Sequence, residues 1–509
     1  MASHRRGRVT RRDLLRYGGA GAAGAAALGA GAYGLLGDAE GSDDGDRMNA
    51  LLIVTDSTRR DFVSAYDGAD RLARTPNIDA LARQSLVFEH AVPEAMPTVP
   101  VRRALLTGVR SFPFRDWQVE PKLPPFPGWN SIPEERPIFP EFMQQAGIET
   151  AYVTDNPFLI GPRFADFRRT LDTSRPIYLQ GEYRSWNTPL KKGQVASKDQ
   201  IANYLLPALE GTEAERRLRE HEGLNAGRAA RDLSGARVVR TGMRLLDSLK
   251  DRQPFFLGVD AFDPHEAFDP PTTYVRRFGR HQGIEPIYPF TTPFSTVEEV
   301  EATDEQVERV RELYAGELTY IDAWIGRLLN KLDDLGLADS TVVYYLSDHG
   351  VGLGEHGILG KANATLGSEI HRVPYMIHHP DGRRAGKRSR FFASTHDVAP
   401  TLLSFQGLTV PGRMDGEDLS IIFDGAEPPA RERWTTCYAD YVAAGDGRHV
   451  LIADNQGEQK RLYDTEADPR EENDVAADNP DAVDDLWQSI VYDAGGTMPI
   501  FGKTGVVTS

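Results

Sequence analysis

Three short, unbroken apolar runs constrain the fold of this chain more than any other feature. They are Ala-Leu-Leu-Ile-Val-Thr at 50–55, Phe-Phe-Leu-Gly-Val at 255–259 and Val-Val-Tyr-Tyr-Leu at 342–346. A strand with one face in water alternates apolar and polar residues, so a continuous run marks a strand covered on both faces. The second and third runs each follow a helical stretch. Between 303 and 335, apolar residues fall at Val307, Val310, Tyr314, Leu318, Ile321, Ile325, Leu328 and Leu332. Steps of three and four residues trace one face of a helix. Thr303 and Gln306 stand at capping-box spacing at its start. Buried strands alternating with such helices predict an α/β fold, a mostly parallel central sheet flanked by helices.

In open sheets of this kind, ligands bind outside the carboxyl ends of the strands. Asp56 directly follows the first run, and Asp348 and His349 follow the third. Two carboxylates and an imidazole at one sheet edge suit a divalent cation. An Asp after a strand is, alone, more often a cap or turn residue. The glycines of Gly350-Val-Gly-Leu-Gly-Glu-His-Gly357 favour a ligand site, because they leave room for one.

A length of 509 residues supports a large core, with 40% hydrophobic and 26% charged residues. The net charge of −17 argues against nucleic acid as a partner and suits a surface bathed in concentrated salt. Cys437 is the only cysteine, so no intrachain disulfide forms. Thr10-Arg-Arg-Asp-Leu-Leu-Arg16, followed by a Gly/Ala-rich stretch to residue 36, resembles a twin-arginine export signal. Retained, the same stretch would be a membrane anchor, the chain's one membrane contact. The expected location is outside the cell or at its surface. Residues 37–48 read as an acidic linker, 49–406 as the catalytic domain and 407–509 as a small α+β subdomain. The last contains a hairpin from 448–453 and 460–465 and a helix over 480–492. The polar region 173–233 reads as a solvated surface excursion in preference to an inserted lid.

Several segments, in order, resemble the sulfatases of the alkaline-phosphatase-like superfamily. Thr98-Val-Pro-Val-Arg102-Arg-Ala-Leu-Leu-Thr-Gly108 is similar to the family's Cys-x-Pro-x-Arg nucleophile segment. Asp56-Ser-Thr-Arg59-Arg-Asp61 resembles its Asp-Asp-x-Arg-x-Asp opening, and Asp263-Pro-His265 its Asp-Pro-His segment. Ser347-Asp-His-Gly350 through Lys361, then Arg372-Val-Pro374 and His396-Asp-Val-Ala-Pro-Thr-Leu-Leu403, complete the series. The resemblance implies one bound divalent metal, Ca²⁺ by family preference, with Mg²⁺, Mn²⁺ and Zn²⁺ open. Asp56, Asp348 and His349 would be its ligands. It further implies Thr98 at the nucleophile position and Arg102 holding the nucleophile or the anionic group. His265 would orient the ester or protonate the leaving oxygen, and Lys361 would neutralise charge on the transferred group.

Three departures change what the resemblance implies. Ser57 replaces the second Asp of the opening. Thr98 replaces the Cys that the family oxidises to formylglycine, a conversion closed to threonine. Thr154-Asp-Asn-Pro-Phe158 falls where the family has Gly-Lys-Trp-His-x-Gly. The leading expectation is therefore an exported, metal-dependent hydrolase of sulfate or phosphate esters that uses Thr98. Its substrate would be a small anionic ester or a sulfated or phosphorylated glycan or lipid. A phosphoryl-alcohol transferase working through a Thr98 intermediate and a non-catalytic anion or metal binder are the alternatives. Oligomeric state is open.

Overall fold

The computed structural model describes residues 47–498, apart from 67–71, 113–119, 121–123, 125, 134, 162–163, 178–194, 202–208, 226–228, 277–294, 362–365 and 497. The signal or anchor read over 1–36 lies outside the described residues, as does most of the 37–48 linker. No helix among the described residues is long and apolar enough to cross a membrane.

Among the described residues, twelve strands precede residue 400: β1 (Asn49–Thr55), β2 (Leu86–Ala91), β3 (Ala95–Met96), β4 (Glu149–Thr154), β5 (Thr173–Pro176), β6 (Phe255–Ala261), β7 (Ser295–Thr296), β8 (Thr341–Ser347), β9 (Gly352–Leu353), β10 (Ile358–Gly360), β11 (Tyr375–His378) and β12 (Arg388–Ala393). Eight of them build the central sheet in the order β12-β2-β11-β8-β1-β6-β4-β5. All are parallel except β11, which runs against both β8 and β2.

The three apolar runs are the three neighbouring central strands, with Ile53 opposite Val259 on one side and Tyr345 on the other. Every residue of these three strands is buried. Alternate side chains serve different layers. Leu51, Ile53, Leu257, Val259, Val343 and Tyr345 pack with the helices Pro76–Arg83, Ser234–Leu249 and Asp304–Asp334. Ala50, Leu52, Val54, Phe256, Val342, Tyr344 and Leu346 pack with Thr98–Thr107, Phe139–Gln145 and Val398–Phe405. Apolar cover on both faces is the reason these strands lack alternation.

The helix Asp304–Asp334 begins with the expected capping box. The Gln306 N–H donates to Thr303 Oγ1 (3.3 Å), and the Thr303 N–H donates to Gln306 Oε1 (2.9 Å). Four later strands, β13 (Trp434–Tyr438), β14 (Tyr441–Gly445), β15 (His449–Asp454) and β16 (Arg461–Asp464), form an antiparallel sheet against the helix Pro480–Asp493. β15 and β16 are the expected hairpin. The fifth strand of this sheet is β3, where Ala95 pairs with Cys437 and Met96 with Tyr438. The C-terminal sheet thus grips the chain two residues before Thr98.

The 173–233 region differs from its reading as a solvated excursion. The helix Glu213–Asn225 buries Leu218 against Ala196, Ile201 and Ala267. His221 Nε2 lies 2.7 Å from Asp269 Oδ2. Buried Ala214, Glu215 and Glu220 and the Arg219 bonds to Ala196 complete its seat, mostly polar contacts that apolar periodicity does not reveal.

Candidate active site

The ends of β1, β6 and β8 bring the chemistry together. The Asp56 N–H donates to Ala261 O (3.1 Å) and the Asp348 N–H to Thr55 O (3.2 Å), so each acid leaves its strand under backbone restraint. Between them Ser57 takes a left-handed backbone, φ 63°. Its N–H donates to Asp348 Oδ1 (2.9 Å) and its Oγ to Asp56 Oδ1 (2.8 Å). Tyr314, from the long helix, holds this turn. Its hydroxyl accepts from the Arg59 N–H (2.7 Å) and donates to Ser57 O (2.9 Å). A strained residue persists only where its surroundings over-determine it, and these four bonds do so.

Asp56, Asp348 and His349 each offer a ligand atom, all within 4.8 Å of one another, and all three residues are buried. His349 Nδ1 lies 2.8 Å from Gly350 O, which places the proton on Nδ1 and aims the Nε2 lone pair at the carboxylates. Burial, then Lys361, pushes His349 down to about 3, so the ring is neutral. Burial, then Asp348, raises the Asp56 carboxyl above its ordinary value. Buried side by side, the Asp56 and Asp348 carboxylates favour positive charge beside them. Hard oxygens and one neutral imidazole nitrogen fit a divalent metal.

Thr98 opens the helix Thr98–Thr107, which carries its hydroxyl into this group. Thr98 Oγ1 lies 3.2 Å from Asp56 Oδ2 and 3.3 Å from His349 Nε2. Asn156, in the segment that departs from the family pattern, donates from Nδ2 to Asp56 Oδ2 (3.4 Å) while its Oδ1 caps the Phe158 and Leu159 N–H groups.

Arg102 lies one helical turn beyond Thr98. It binds carboxylates: Asp348 through Nη1, Asp260 through Nη2 (2.8 Å) and Nε (3.3 Å), and Asp56 through Nη1 at 3.6 Å. With three buried acids around it, the guanidinium braces the cluster of Asp56, Asp348 and His349. The Tyr152 hydroxyl also donates to Asp260 Oδ2 (2.8 Å).

His265 and Lys361 meet at a shared acid, Glu266, which sequence reasoning missed. Lys361 Nζ donates to Glu266 Oε2 (2.9 Å), and His265 Nδ1 lies 3.0 Å from the same oxygen. The His265 ring stacks on Phe262 at 4.0 Å. Burial opposes charge on His265, but Glu266 outweighs it and raises the imidazole above its ordinary value. Burial likewise opposes charge on Glu266, yet His265 and Lys361 together hold its carboxyl well below the usual range. Both cations act on the cradle as well, His265 on Asp56 and Lys361 on His349. Asp260 was the other omission. Both carried a readable signal, Asp260 as an acid ending an apolar strand and Glu266 as an acid beside a histidine after that strand.

A parallel sheet with an acid- and histidine-lined metal cradle at its carboxyl edge, a buried hydroxyl and two cations defines an ester hydrolase of the alkaline-phosphatase-like class. The sulfatase family model matches residues 48–408, and that of the N-sulphoglucosamine sulphohydrolase C-terminal region matches residues 354–491. The chain belongs to the sulfatase family. It is 28% identical over 421 residues to the multifunctional alkaline phosphatase superfamily protein PehA of Trinickia caryophylli, covering 73% of this chain and 76% of that one. It is 26% identical over 425 residues to iduronate 2-sulfatase of Mus musculus, covering 74% and 71%. The phosphonate monoester hydrolase of Agrobacterium radiobacter shares the fold, with a TM-score of 0.67, 20% identity, and coverage of 88% of this chain and 96% of that one.

Proposed function

We propose that this chain is an exported, metal-dependent hydrolase of sulfate or phosphate esters in which Thr98 stands where its relatives carry formylglycine. The observation that carries this reading is the Thr98 hydroxyl, 3.2 Å from Asp56 Oδ2 and 3.3 Å from His349 Nε2. A divalent cation in the cradle of Asp56, Asp348 and His349 supplies Lewis-acid polarisation and eases ionisation of a hydroxyl. Asp56 Oδ2 is in place to take the Thr98 proton. The freed Oγ forms a bond to the sulfur or phosphorus as the ester oxygen departs, and His265 donates a proton to that oxygen. Water then cleaves the Thr98 ester, releasing sulfate or phosphate and restoring the hydroxyl. Glu266 favours the protonated form of His265 against burial and Lys361, and Lys361 keeps a fixed positive charge beside the developing anion. The relatives' names span sulfatase, phosphatase-superfamily and phosphonate-ester activities, which supports the reaction class while leaving the central atom open.

The test incubates the purified protein with 4-nitrophenyl sulfate, 4-nitrophenyl phosphate and a phosphonate monoester over a panel of divalent metals. Thr98→Ala is expected to lower kcat about 100-fold or more, the order of loss for one essential active-site group. Mass spectrometry of quenched wild type should find an ester adduct on Thr98. Full turnover by Thr98→Ala would remove Thr98 as nucleophile and leave it a structural residue.

A further inference from the structure

Three arginines and an imidazole gather at the same sheet edge as Asp348, and the site above uses none of them. Arg60 lies in the 3-10 turn after β1. Arg372 immediately precedes Val373-Pro374 and β11, where the Ser347 N–H donates to Pro374 O (3.2 Å) and the Val373 N–H to Ala91 O (3.2 Å). His90 pairs with Phe392 across β2 and β12, and Arg390 sits in the register shift between Ser389 and Phe392. Arg60 and Arg372 are close enough to repel each other, and both act with Arg390 on His90. Burial, then these arginines, pushes His90 down to about 4, so the ring is neutral.

A fold normally relieves such crowding with a carboxylate, because an unpaired buried charge is costly. The nearby acids relieve it only in part: Glu471 acts on Arg372, and Glu89 and Asp61 act on Arg60, while each is also held elsewhere. Asp61 pairs with Arg59 (2.5 Å), Glu89 with Arg388 (3.6 Å), and Glu471 Oε2 accepts the Ser368 N–H (3.0 Å). Arg60 and Arg372 make no ion pair among the described residues. The Arg60 guanidinium rests over the Tyr66 ring at 5.0 Å, and its Nε is buried without an acceptor. On a chain of net charge −17, half-buried Arg60 and Arg372 and exposed Arg390, gathered without an ion pair for the first two, suit an incoming anion.

We propose that Arg60, Arg372 and Arg390, with the His90 ring, form an oxyanion subsite for a second sulfate or phosphate group of a multiply charged substrate. Guanidinium forks match the paired oxygens of such groups, and His90 is a neutral partner for a third. Calling the ligand a substrate rests on the ester-hydrolase function above; the binding itself does not.

The experiment is calorimetric titration of the full chain with a sulfated heparin tetrasaccharide and, separately, with tripolyphosphate. Wild type is compared with Arg60→Ala/Arg372→Ala and with Arg390→Glu alone. Affinity for at least one probe should fall about tenfold or more in both variants, the loss of one charge-assisted contact. The probe that loses affinity identifies sulfate or phosphate. Turnover of a singly charged aryl ester should stay within about twofold, since the changed residues lie outside the cradle. Wild type that binds neither probe, or variants that bind both as wild type does, would overturn the subsite. If the double variant does not fold, the exposed Arg390→Glu decides alone. Absent ester turnover by wild type would defeat the hydrolase reading and leave the binding result standing.

Discussion

Replacing Asp260 with asparagine tests how the cradle is balanced. Arg102 is ringed by Asp56, Asp348 and Asp260, three carboxylates against one guanidinium, which leaves two negative charges for a divalent cation to match. Asp260 is fully buried and receives two guanidinium bonds and the Tyr152 hydroxyl. Asparagine keeps the shape and one acceptor but removes the charge. Breaking a buried pair in this way costs about 3–5 kcal/mol, and the retained acceptor places the expectation near 3. Arg102 would then turn its whole charge on Asp56 and Asp348 and compete with the metal. Losing a group that supports metal ligands typically costs about 10–100-fold in affinity, or roughly 1.4–2.7 kcal/mol. Urea unfolding with and without saturating metal, beside a direct metal titration, separates the two effects. The variant should lose more stability in the presence of metal than after chelation. Metal affinity equal to wild type, with the same stability loss in both conditions, would refute the idea that Asp260 holds Arg102 off the ligands.

Three further outcomes follow from the same structure. Glu266 holds His265 above its ordinary pKa, so His265 stays protonated below that value and loses its proton as pH rises through the raised one. Glu266→Gln should therefore move the alkaline limb of the kcat/KM profile to lower pH, and an unmoved limb removes His265 as the acid. Tyr314→Phe strips the buried Arg59 N–H of its acceptor, at about 1–3 kcal/mol in denaturant unfolding, and weakens metal binding by loosening Ser57. His356 is raised to about 9, first by its hydrogen bond to Glu369, then against burial. Its contribution is complete below the unfolded value near 6.5 and fades as pH climbs through about 9. The gap in thermal midpoint between wild type and His356→Asn should close over that interval; a constant gap contradicts the pairing.

The central strands were legible because sandwiching between helix layers removes alternation, and only long buried runs do that. Asp56, Asp348 and His349 were legible because each follows such a run. The reversed β11 was not, since four residues carry no direction. β13 and β14 were also missed, because the β13 sequence Trp-Thr-Thr-Cys-Tyr buries its threonines and so hides its faces. The true partners of Arg102 were out of reach for another reason. Asp260 is 158 residues away in sequence, and it meets Arg102 because the helix Thr98–Thr107 and β6 share one core layer. Spacing can nominate a cation, but the company it keeps is a property of the fold.

The union of β3 with β13 sets an order of events during synthesis. A ribosome that has made the chain as far as Arg433 has already made Asp56, Thr98, Arg102, His265, Asp348, His349 and Lys361. It has not yet made the strand that fastens Ala95 and Met96, nor the Tyr438 hydroxyl that donates to Lys361 O at 2.8 Å. The hydroxyl and the lysine therefore gain their final anchorage late, after the reactive residues themselves exist. A nascent or truncated chain holds every chemical part of the site without the clasp that sets two of them, and catalysis waits for the last sheet to close.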